Sequence, residues 1–126
     1  MNLEKVVFGF FILLAATLNF GFVWGDIDDP AHHDAYELFC ALVVSLIATV
    51  LKFGDRTQIG AVHLATSLVA DLQLIAAAVV WVSAANSGVP VSPEQTASIV
   101  SLAAGALLAN LVSVTLLVVE TVMLRR

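Results

Sequence analysis

Four long apolar stretches take up most of this chain and decide what it can fold into. They run approximately over residues 6–24, 38–53, 60–82 and 96–119. Each approaches the roughly 20 residues that a helix needs to cross the hydrocarbon of a bilayer. With 60% hydrophobic and 12% charged residues, the chain has too little polar surface to cover a soluble core of this size. The sequence therefore predicts an all-α integral membrane protein with four transmembrane helices in a single domain, residues 1–126.

The lysines and arginines fall only at alternate ends of these stretches. Lys5 precedes the first stretch, Lys52 and Arg56 lie between the second and third, and Arg125 and Arg126 follow the fourth. The other two loops contain acidic residues but no lysine or arginine. Because loops rich in lysine and arginine remain in the cytoplasm, we expect a multi-pass protein of the cell inner (plasma) membrane with both termini cytoplasmic. The net charge of -5 is then concentrated on the outer face, which argues against nucleic acid as a partner.

Capping residues predict where the later helices begin. Asp29 before Pro30 is typical of an N-cap followed by proline at the first helical position, so the second helix is predicted to begin at Pro30. Gly54 followed by Asp55 predicts that helices two and three form a tight hairpin, with Asp55 as the N-cap of helix three. The segment 92–95, Ser-Pro-Glu-Gln, predicts a capping box at the start of helix four.

Asp71 is the most informative single residue, because it lies about 16 Å into the third stretch, near the middle of an apolar layer about 30 Å thick. His63 and Ser67 precede it at four-residue intervals and share its helix face, while Ser45 and Asn110 reach a similar depth on other helices. An ionised carboxylate at this depth costs a few kcal/mol, so such residues usually serve a function. The pattern predicts an ion pathway through Asp71, Ser67, His63 and Asn110. The alternative is a neutral Asp71 that only bonds neighbouring helices together.

The loop after the first stretch is dense in carboxylates and carries two adjacent histidines. The carboxylates would attract cations and predict an acidic outer mouth, a ring of charge in a symmetric homo-oligomer. Its members are Asp26, Asp28, Asp29, Asp34 and Glu37. His32 and His33 beside these carboxylates are weak candidates for a transition-metal site. Adjacent residues on a helix point about 100° apart, which suits a single ion poorly.

The function expected from these features is a small oligomeric cation channel or transporter, with the lipid bilayer and a cation as its partners. No nucleophile–base pair or phosphate-binding loop indicates an enzyme, and no cofactor is expected. Two alternatives remain open. One is a non-transporting subunit that stabilises a larger membrane complex, and the weaker one is a metal- or haem-binding membrane protein that uses the three histidines. Small residues at four-residue spacing on helix four would allow close packing within one bundle or between copies.

The distribution of basic residues predicts one orientation only. A reporter fused after residue 126 should be found in the cytoplasm, and a reporter inserted at Ser87 should be found on the outer side, because the basic loops resist translocation. Enzymatic reporters active on one side of the membrane would measure this. Equal signals from both sides at either position would contradict the predicted topology.

Overall fold

The structure is a computed structural model that describes residues 3–124 and consists of four long helices. They are α1 (Leu3–Val23), α2 (Ala35–Lys52), α3 (Gln58–Ala85) and α4 (Pro93–Leu124), with a short 3₁₀ turn at Pro30–His32. No strand occurs among these residues. All four helices are long and apolar enough to cross a membrane, which suggests a multi-pass membrane protein. Arg125 and Arg126 lie outside the described residues.

Each helix packs against two neighbours, so the bundle closes as a ring in the order α1, α2, α3, α4. The rings of Phe22 on α1 and Trp81 on α3 also meet across the interior, with their centroids 6.2 Å apart. Two apolar clusters fill the ends of the bundle. The larger one lies near the α1–α2 loop and includes Phe22, Leu38, Leu74 and Ile99. The smaller one lies near the α2–α3 turn and comprises Phe8, Ile12 and Ala48.

Apolar side chains also cover the outside of the bundle. Val43, Leu72 and Leu108, on three different helices, are each more than half exposed. A helix that is hydrophobic all round is typical of a membrane span, because water would penalise its outer face. The outer surface therefore agrees with the length and composition of the helices.

The capping box predicted at the start of α4 is confirmed. The Ser92 hydroxyl accepts a hydrogen bond from the Gln95 backbone N–H at 3.1 Å, and the Gln95 side-chain oxygen accepts one from the Ser92 N–H at 3.0 Å. These reciprocal bonds satisfy two backbone donors that the first turn of a helix leaves without partners. The start of α4 is thus determined by residues adjacent in sequence.

The predicted start of α2 at Pro30 is wrong. Asp29 does cap a turn that begins with proline, but that turn is the 3₁₀ segment Pro30–His32 and ends after three residues. His33 is extended, and Asp34 then caps α2 by accepting a backbone hydrogen bond from its first turn. The cause is tertiary, because the His33 ring nitrogens lie 2.5 Å and 2.7 Å from main-chain carbonyl oxygens at the end of α1 and in the following loop.

Helices α2 and α3 form the predicted hairpin, joined by residues 53–57, but the predicted N-cap is two residues too early. Thr57 caps α3 by accepting a hydrogen bond from the Gly60 N–H at 3.0 Å. Asp55 instead accepts from the N–H and the hydroxyl of Thr57, at 2.9 Å and 2.7 Å, and so stabilises the turn before the helix. A Cβ atom at Gly60 would collide with the Asp55 carboxyl, so a larger residue there would displace this group from its hydrogen bonds to Thr57.

These bonds affect how the turn responds to acid. The hydrogen bond from the Thr57 hydroxyl is the largest of the effects that lower the pKa of Asp55, from 3.8 to about 2. A carboxyl group with a depressed folded-state pKa stabilises the fold fully above its unfolded pKa, and this contribution is lost as the pH falls through the folded value. The stabilising effect of Asp55 should therefore persist at neutral pH and disappear between about pH 4 and pH 2.

Replacing Asp55 with alanine tests this expectation. Asp55→Ala should lower the thermal unfolding temperature in detergent at pH 7 by about 4 °C, because the Thr57 donors lose their acceptor. Asp28→Ala, which removes an exposed carboxylate, is the control and should leave the temperature unchanged. The difference between Asp55→Ala and the parent protein should vanish near pH 2. A difference that stays constant from pH 7 to pH 2 would contradict the assignment.

Candidate functional site

Asp71 lies inside the bundle, between α3 and α2, with only 5% of its surface exposed. Its Oδ1 accepts a hydrogen bond from the Ser45 hydroxyl at 2.7 Å, and its Oδ2 accepts one from the Thr49 hydroxyl at 2.5 Å. Ser45 and Thr49 are one turn apart on α2, so they leave the helix on the same face. Both oxygens of the buried carboxyl group are therefore held by α2.

The Thr49 hydroxyl faces a second acceptor, the main-chain oxygen of Ser45, at 3.0 Å. A hydroxyl carries one proton and cannot donate fully to two acceptors. If Asp71 is protonated, its own O–H can donate to the Thr49 oxygen while Thr49 donates to the Ser45 carbonyl. If Asp71 is ionised, Thr49 turns its proton toward the carboxylate. The same heavy-atom positions thus accommodate the carboxyl group with or without a proton.

His63 and Ser67 are fully buried on the face of α3 that carries Asp71, as the helical period predicts. The Nδ1 atom of His63 lies 2.7 Å from the hydroxyl of Ser113 on α4. The His63 ring also packs edge-on against Phe8 of α1, with the centroids 5.1 Å apart. The Nε2 atom of His63 and the hydroxyl of Ser67 have no hydrogen-bond partner within residues 3–124.

Two asparagines are buried in the same interior. Asn110 on α4 and Asn19 on α1 are both 0% exposed, and neither amide finds a partner in the described part of the chain. Buried polar atoms are nearly always bonded to protein or to ordered water, so unpaired atoms of this kind mark positions where water is expected. The interior therefore contains polar groups whose hydrogen-bonding capacity its direct hydrogen bonds do not use.

The packing of α3 on α4 determines which residue of α3 lies at the same height along the bundle as Asn110. His63 is bonded to Ser113, and the Gln73 side chain lies against Gly105 further along the same antiparallel pair. Between these two contacts, Ser67 is level with Asn110. The predicted pathway residues therefore follow one another through the bundle interior, although no direct hydrogen bond joins them among the described residues. We call His63, Ser67, Asn110 and Asp71 the polar column.

A cleft of about 710 Å³ opens at the end of the bundle nearest His63. Every lysine and arginine within residues 3–124 lines it, namely Lys5, Lys52 and Arg56. We call this the basic-end cleft. Two of these charges are paired with acidic residues of the same cleft, Lys5 with Glu120 and Lys52 with Asp55.

Phe8 separates the basic-end cleft from the polar column. It lines the cleft, and its ring contacts the His63 ring on one side. The Lys52 ammonium group lies 4.4 Å from the centroid of the same ring, a cation–π contact. Only 1% of Phe8 is exposed, so its ring, with Lys52 against it, lies between the cleft and the buried His63 ring.

The predicted acidic mouth lies at the opposite end of the bundle. Asp26, Asp28 and Asp34 are exposed, whereas Asp29 and Glu37 are partly buried. Asp29 and Asp34 also serve as caps of the 3₁₀ turn and of α2. A charge cluster of this kind attracts cations through the solvent, while two of its members have a structural role as well.

The two adjacent histidines occupy different environments. His33 is buried with its nitrogens facing main-chain carbonyls, as described above. His32 is exposed, and one nitrogen or oxygen atom from each of His32, Asp26 and Asp29 lies within 4.8 Å of the others. However, the Nδ1 atom of His32 accepts a hydrogen bond from the Asp26 N–H at 2.9 Å, which places the proton of a neutral ring on Nε2, opposite Asp29. This geometry is that of a hydrogen-bonded loop, and it does not favour the metal hypothesis.

Sequence reasoning missed several residues of the site. Thr49 holds Asp71, Ser113 holds His63, and Phe8 with Lys52 lies between the cleft and His63. A signal for Thr49 was present, since it follows Ser45 by one helical turn and so shares its face. The other contacts depend on which helices are neighbours and on their register, which a single sequence does not encode locally.

The fold and site define an all-helical protein with four candidate membrane spans and a buried carboxyl group in its interior. The chain belongs to DUF6394, a family of unknown function, whose model matches residues 32–121. The matched segment contains Asp71, its two hydroxyl partners and the whole polar column, and excludes α1. No curated protein and no solved structure matches the chain.

Proposed function

We propose that this protein is a small oligomeric cation channel or transporter of the cell inner membrane, with Asp71 as the group that binds the ion. One observation carries the proposal, namely a buried carboxyl group bonded to two hydroxyls within a row of buried polar side chains that lack full pairing. Burying such groups in an apolar bundle costs free energy. Ionisable groups at this depth are typical of ion and proton pathways.

The distribution of charge supports an orientation. The described basic residues gather at one end of the bundle and the acidic loop lies at the other. Under the positive-inside rule the basic-end cleft faces the cytoplasm, both termini are cytoplasmic and the acidic loop is outside. The acidic loop would then raise the local cation concentration at the outer surface.

A second candidate is an accessory subunit that stabilises a larger membrane complex without transporting anything. The observation in its favour is that Ser45 and Thr49 together satisfy both oxygens of Asp71. Hydrogen bonds of this kind join membrane helices and are sufficient to explain a buried carboxyl group. The two candidates differ in whether the charge of Asp71 is needed after the helices have packed.

Asp71→Asn separates these candidates. The amide oxygen can accept from Ser45 and the amide nitrogen can donate to Thr49, so folding and assembly should be preserved. Cation flux into liposomes should fall by about tenfold or more, which corresponds to at least about 1.4 kcal/mol on the barrier, because the amide cannot bind or release the ion. Thermal unfolding and size-exclusion chromatography would verify that the protein is intact.

The control for this variant is Glu94→Gln, which removes one exposed carboxylate at the start of α4 and should keep the parent flux at high salt. An intact Asp71→Asn protein with unchanged flux would reject the ion-binding role and favour the accessory subunit. Absence of any cation flux in the parent protein would do the same.

The acidic loop should attract cations through an electrostatic field that dissolved salt weakens. Changing Asp26, Asp28, Asp29 and Asp34 together to asparagine keeps the caps, because asparagine is also a good N-cap, and removes four charges. Flux should fall mainly at low ionic strength and recover toward 1 M salt, where the screening length shrinks to about 3 Å. Asp71→Asn should reduce flux at every salt concentration. Identical salt profiles for the two variants would contradict this division of roles.

A further inference from the structure

We propose that the cation bound at Asp71 is a proton, and that it reaches Asp71 from the basic-end cleft through His63 and through water held beside Ser67 and Asn110. This inference rests on the proposed function and names its substrate and its route. Three sets of observations carry it, namely the hydrogen-bond positions around Asp71, the spacing of the polar column, and the position of Phe8 between the cleft and His63.

The surroundings of Asp71 fit a proton better than a metal cation. An alkali cation gives up its hydration shell only where several oxygens surround it. Here the Ser45 and Thr49 hydroxyls lie 2.7 Å and 2.5 Å from the carboxyl oxygens, which are direct hydrogen-bond distances that leave no space for an ion between them. A proton needs no such space. As the position of the Thr49 hydroxyl between two acceptors shows, protonation requires only that hydrogens reorient.

The spacing of the polar column suits single bridging waters. His63, Ser67 and Asp71 follow at four-residue intervals, so each step is about 6 Å along the helix axis. That distance is too long for a direct hydrogen bond and close to the span of two bonds through one water. The atoms that such waters would bond are those without protein partners in residues 3–124, the Nε2 atom of His63, the Ser67 hydroxyl and the Asn110 amide.

Histidine can pass on a proton because its ring has two exchangeable positions. A proton arriving from the cleft binds one ring nitrogen of His63 and the other nitrogen releases its proton to the column. That proton crosses the water beside Ser67 and Asn110 and is taken up by the Asp71 carboxylate. One proton leaves the cleft and one is bound at Asp71, so the number of protons on His63 is unchanged. The ring now holds its proton on the other nitrogen, and a rotation of the ring restores the starting arrangement without moving a further proton.

The entrance can pass a proton while excluding larger ions. Phe8 and His63 are in ring contact and almost fully buried, so a hydrated metal cation would have to displace both. A proton needs only a brief opening that admits one water. The charged groups that line the cleft at this entrance are three acidic and three basic residues, namely Glu4, Asp55, Glu120, Lys5, Lys52 and Arg56, so their formal charges cancel. Two of the opposite-charge pairs are in direct contact, Lys5 with Glu120 and Lys52 with Asp55.

Proton flux in liposomes containing the full chain tests the proposal. Vesicles with an internal pH-sensitive dye and a set membrane potential should acidify at the same rate when sodium and potassium outside are replaced by a bulky organic cation. His63→Phe should lower that rate by tenfold or more, while Thr66→Val, which removes a hydroxyl one residue from Ser67 and outside the polar column, should leave it unchanged. If His63→Phe does not fold, Ser67→Ala should lower the rate at least threefold.

Infrared difference spectroscopy after a pH jump gives a second readout that needs no flux. The carbonyl stretch of protonated Asp71, identified by its loss in Asp71→Asn, should appear more slowly in His63→Phe than in the parent protein. Equal rates would overturn the route through His63. Flux that requires sodium or potassium would overturn the proton assignment and leave the proposed function intact, whereas a parent protein without flux of any cation would overturn both.

Discussion

The pairing of one buried carboxyl group with two hydroxyls constrains the rest of this bundle. An unpaired carboxyl group in an apolar interior costs several kcal/mol, so Asp71 requires a donor or acceptor for each oxygen. Ser45 and Thr49 meet this requirement only when α2 and α3 are in one register, since a slip of one residue would turn both hydroxyls away. The short turn at residues 53–57 and its bonds at Asp55 hold that register from the adjacent end.

Local sequence determines some elements of the fold completely and others hardly at all. The start of α4 could be predicted because Ser92 and Gln95 bond each other and nothing else is involved. The start of α2 could not, because the extended conformation of His33 depends on carbonyl groups at the end of α1 and beyond it. The α3 cap lies between these cases, since both Asp55 and Thr57 are good caps and only the folded turn shows that Thr57 bonds the Gly60 N–H while Asp55 bonds Thr57.

The same distinction applies to the candidate site. The alignment of His63, Ser67 and Asp71 follows from helical periodicity alone, and all three side chains are buried on one face. Their partners depend on neighbouring helices. Helices that are apolar on every side give little indication of which face turns inward, so Ser113 beside His63 and Phe8 at the cleft became visible only in the folded bundle.

The polar interior is asymmetric along the bundle, and this bears on how transport would proceed. From His63 to Asp71 each helical turn of α3 presents a polar side chain, and Asn19 adds one more on α1. Beyond it, toward the acidic end, Phe22 and Leu38 belong to a continuous apolar cluster, and the buried His33 ring packs against Phe22 at the end of that cluster. An apolar constriction of this kind excludes ions by excluding water. Under the proposed function Asp71 therefore exchanges with the basic end in this arrangement, and release toward the acidic end requires a second arrangement in which the apolar cluster separates. Under the proposed function, alternation between two such packings would correspond to a transporter, because a channel would need both ends of its path wetted at once.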